Sequence, residues 1–60
     1  VLVNFTHTES EAIEGVLVAS RPRWLILKDA SALKAGQAPV KMPGDVYVDR
    51  STVAYLQVAP

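Results

Sequence analysis

Gly44-Asp-Val-Tyr-Val-Asp-Arg-Ser-Thr-Val-Ala-Tyr-Leu-Gln-Val-Ala-Pro60 decides the fold. Val46, Tyr47 and Val48, then Val53, Tyr55, Leu56 and Val58, form two β-branched and aromatic runs. Only Asp49-Arg50-Ser51-Thr52 separates them. Short runs of this kind bounded by turn residues predict strands rather than helix. The reading is Asp45 to Arg50 for the fourth strand and Val53 to Val58 for the fifth, fenced by Pro43 and Pro60.

Upstream, Val1, Val3 and Phe5 alternate with Leu2, Asn4 and Thr6, so a first strand is expected there. The polar segment Thr6 to Glu11 turns the chain. A second strand is read from Ala12 to Ser20, with Ile13, Leu17 and Ala19 on one face and Ala12, Glu14, Val16 and Val18 on the other. Gly15 inside it marks a bend, a bulge or a close backbone approach. Arg21-Pro-Arg23 is a turn, because Pro22 removes a ladder donor, and Trp24 to Ala30 is the third strand. Ser31 to Pro43 lacks clear alternation and reads as a long loop with one helical turn over Ser31 to Ala35, while Val40 and Met42 are candidates for extending a strand. The expected fold is therefore all-β: one domain over residues 1–60, a small five-stranded barrel with a long loop between strands three and four.

Composition narrows the functions. A 60-residue chain hides only about 60% of its unfolded surface on folding. With no cysteine it has neither disulfides nor thiolate ligands, and self-association is the remaining common support for so small a core. Half of its residues are hydrophobic, so this is a folding sequence and not a disordered tail. Six Lys and Arg balance six Asp and Glu, so there is no broad basic field for nucleic acid. The longest apolar runs, Val16 to Ala19 and Trp24 to Leu27, are far shorter than the roughly 20 residues of a membrane helix. No targeting segment is visible, and a cytoplasmic or virion setting is expected.

No catalytic constellation stands out. Ser10, Ser20, Ser31 and Ser51 have no Gly-x-Ser-x-Gly elbow, no second His and no evident base, and Gly15, Gly36 and Gly44 are too far apart for a phosphate loop. His7, between acidic neighbours on a polar turn, is read as solvated. The expectation is a non-enzyme without cofactor or metal.

Taken together, the chain resembles the Sm and Sm-like (LSM) family of small β-barrels, a variety of SH3-like fold. Val3-Asn-Phe5, Glu14-Gly-Val-Leu17 and Leu25-Ile-Leu-Lys-Asp29 echo the family's first motif. Gly44-Asp-Val-Tyr-Val-Asp-Arg-Ser-Thr-Val53 with Tyr55-Leu56 echoes its second. The resemblance implies a homo-oligomeric ring or a larger shell built by pairing edge strands, and the minimal, cysteine-free chain fits a phage or virion structural assembly. Val16, Val18, Tyr47, Asp49, Val53, Tyr55 and Leu56 are the candidate interface, because strands four and five carry large groups on both faces while a small barrel buries one.

Other assembly subunits are a second class of partner. The family's RNA-binding Asp and Asn are replaced here by Ser20-Arg-Pro-Arg23, and its Arg-Gly by Asp49-Arg50. The alternative is an RNA-binding protein using Arg21, Arg23, Trp24 and Arg50 instead, with Trp24 stacking a base. For Trp24 packing is the commoner role, and for Arg50 an ion pair with Asp45 or Asp49. A monomeric SH3-like peptide-binding domain is the third reading, disfavoured by the scarcity of aromatics.

Overall fold

The computed structural model describes residues 1–58. It is all-β: β1 (Leu2–Phe5), β2 (Glu11–Ser20), β3 (Trp24–Lys34), β4 (Val40–Met42), β5 (Val46–Asp49), a single 3-10 turn η1 (Arg50–Thr52) and β6 (Val53–Gln57). All pairings are antiparallel within one 6-stranded sheet, in the order β4-β3-β2-β1-β6 with β5 also on β3. Pro60, read as the fence after the last strand, lies outside the described residues.

β3 organises the sheet. Along one edge it pairs with β2 from Ser20↔Leu25 to Glu11↔Lys34. Along the other it serves two short strands: β5 lies against Trp24 to Leu27, and β4 against Ala30 to Ala32. Asp29 sits between those halves. It has φ 52, and the β2 register jumps there, from Val16↔Lys28 to Glu14↔Ser31, so β3 carries an extra residue that bends it.

That bulge explains two departures from the sequence reading. Ser31 to Ala35 does not form a helical turn, because Ser31 to Lys34 continues β3, held by β2 throughout and by β4 at Ser31 and Ala32. Ladders on both sides override the local helix preference of Ala, Leu and Lys. The long loop also shrinks, because β3 ends at Lys34 and β4 begins at Val40, which makes six strands rather than five. Gly36 and Gly44, with φ 75 and 76, turn the chain on either side of β4.

Gly15 faces Ala30 across the same bend. A Cβ built on it would stand 3.2 Å from Ala30 Cα, Ala30 Cβ and the Lys28 carbonyl oxygen. The register jump and the close backbone approach thus occur together, as the glycine implied.

Val3, Leu25, Leu27, Ala30 and Val48 are buried, with Phe5, Ile13, Leu17, Met42, Val46 and Val53 packed against them. Every strand contributes to this one cluster. The bent sheet curls around it, with residues facing alternately in and out except where the register shifts in β2, β3 and β6 change the phase. β5 and β6 are joined by η1 and not by a ladder between them. The Arg50 amide donates to the Arg23 carbonyl and the Thr6 amide to the Thr52 carbonyl, both at 2.9 Å, so each end of the turn is tied to a different strand connection.

Candidate functional site: the β5–η1–β6 edge

Asp49 starts η1 because its carboxylate takes the place of the missing turn acceptor. Its Oδ1 accepts from the Ser51 amide at 3.0 Å and the Ser51 hydroxyl at 2.9 Å. The Thr52 hydroxyl donates to the Asp49 carbonyl at 2.7 Å. The Ser51 amide, then its hydroxyl, hold the Asp49 carboxyl below its ordinary value of 3.8; partial desolvation opposes them, and the Arg23 charge adds to the lowering.

A depressed carboxyl stabilises the fold above its unfolded pKa and loses that contribution as pH falls through the folded one. The stability gap between wild type and Asp49→Ala should therefore be full at pH 6 and close from about pH 4 downward. Thermal melts across that range measure it, and a gap unchanged at pH 2.5 would contradict the assignment.

Arg50, the next residue, reaches back to the β2–β3 turn. Its Nη1 donates to the Arg21 carbonyl at 2.9 Å and to Ser20 Oγ at 3.3 Å. The expected ion pair with Asp45 or Asp49 does not form, because Ser51 occupies Asp49 and the guanidinium finds a backbone carbonyl closer at hand. Among the described residues the ion pair is Lys34–Glu11, at 3.3 Å across β2 and β3; both side chains are exposed, so it contributes little.

The fold brings Arg21, Arg23, Trp24 and Arg50 to one end of the molecule, with Tyr47 beside them. Trp24 is half-buried on the outer face of β3 and does not join the core. Its ring meets Tyr47 edge-on at 6.2 Å, and the Arg23 guanidinium lies 5.1 Å from its centroid. Thus Arg23 covers the tryptophan face and Arg50 is engaged with the β2–β3 turn.

The candidate interface residues divide by position. Val16, Val18, Tyr47, Tyr55 and Leu56 are exposed. Val16 and Val18 lie mid-sheet on the outer side of β2, whereas Tyr47, Tyr55 and Leu56 lie on β5 and β6. Asp49 is half-buried and caps η1, while Val53 packs against the core, so both have structural work of their own. Val40 and Val58 are further exposed apolar residues that were not singled out from the sequence.

β5 pairs within the chain with β3 alone, and β6 with β1 alone, so each presents one unpaired backbone edge among the described residues. On β6, Leu56 stands in register with Val3. Val3 is fully buried, yet Leu56, on the same inner side, is 36% exposed. An inward leucine at a free edge is a core residue lacking its cover.

Elsewhere, a cleft of about 240 Å³ lies at the far end of β2 and β3, lined by Phe5, His7, Ala12, Ile13, Leu33 and Lys34 among others. His7 is exposed and its ring packs 5.4 Å from that of Phe5. A wider groove runs over Asn4, Thr6, Thr8 and Tyr55, with Glu9 as its acidic residue. Among the described residues no group of three His, Asp or Glu side chains could hold a metal ion.

Comparison with protein-family models, curated proteins and solved structures found no match for this chain.

Proposed function

We propose that this protein is a non-enzymatic assembly module, a small Sm-like barrel whose copies pair the β5 edge of one subunit with the β6 edge of the next. The product is a homo-oligomeric ring or one layer of a larger structural shell. Leu56 carries the reading: it lies on the core side, in register with buried Val3, and remains partly open to water. A neighbouring strand would cover it while satisfying the free amides and carbonyls of both edges, which otherwise template uncontrolled pairing. The small core supplies the motive, since a chain of this size gains stability from association.

Leu56→Lys should convert the assembly to monomer, because the new charge would have to be buried unpaired against the neighbour. Equilibrium sedimentation of wild type and variant tests this. A wild-type chain that stays monomeric at high concentration rejects the proposal. Binding of RNA is the weaker reading, because two of the three arginines on that end already have partners and few phosphates would be neutralised.

A further inference from the structure

We draw no further inference here: the strongest candidate, the exposed apolar patch that Val16, Val18 and Tyr47 form with Trp24 on the outer face of β2, β3 and β5, is an unpartnered sheet face, and nothing in the structure shows what covers it.

Discussion

Leu27→Ala should leave the isolated chain largely unfolded at 25 °C. Leu27 is fully buried at the centre of β3, in register with Leu17 on one side and Val46 on the other. Truncating such a leucine costs about 2–5 kcal/mol, because the surrounding side chains close the cavity only in part. A single core in a domain this small supplies roughly 3–5 kcal/mol, so one substitution removes most of the margin. Circular dichroism and thermal melting read the outcome. A cooperative melt within a few degrees of wild type would mean that the core does not centre on β3.

Gly15→Val should be the second most damaging change. The new side chain would enter where the β-carbon alone already meets the Ala30 and Lys28 backbone at 3.2 Å. That backbone belongs to the Asp29 bulge, held on both edges by ladders, and it yields poorly. Overpacking of this kind costs about 1–3 kcal/mol, and each kcal/mol lowers Tm by roughly 4–8 °C in a domain of this length. Gly15→Ala should cost less than Gly15→Val. Equal stability of all three proteins would show that the approach of β2 to β3 is looser than described.

Legibility from sequence followed the regularity of the ladders. Val3 and Phe5, Ile13 and Leu17, Leu25 and Leu27, and Val46 and Val48 repeat at a period of two and all proved to face the core. The second half of β3 was hidden because Asp29 shifts the phase of that alternation, and the β4 ladder that holds it comes from residues ten positions or so further on. The Asp49 cap has a local signal in Asp-Arg-Ser-Thr, an acidic residue two places before a serine, that points to a turn. The role of Arg50 is hidden for the opposite reason: its partners, Ser20 and the Arg21 carbonyl, are about thirty residues away, and no local pattern marks a long-range bond to backbone.

The site was legible in its members and less so in its arrangement. Tyr47, Tyr55 and Leu56 stand out as surplus apolar groups on the last two strands, and the fold places them on two of its free edges. Sequence did not separate them from Val53 and Asp49, which share those strands yet serve the core and η1. Trp24 shows the same limit. Its neighbours Arg21 and Arg23 were plain in the sequence, while its contact with Tyr47 depends on β5 pairing with β3.

The central claim is that the free edges of β5 and β6 close each other in the assembly, and amide hydrogen exchange followed residue by residue across a concentration series tests it most directly. In antiparallel or parallel pairing, the outward amides of β5 and β6 become ladder donors and should gain protection as concentration rises, while the exposed turn amides at Gly36 and Gln37 stay unchanged. Exchange on both edges that is fast and independent of concentration, in a chain that remains folded, would contradict the account.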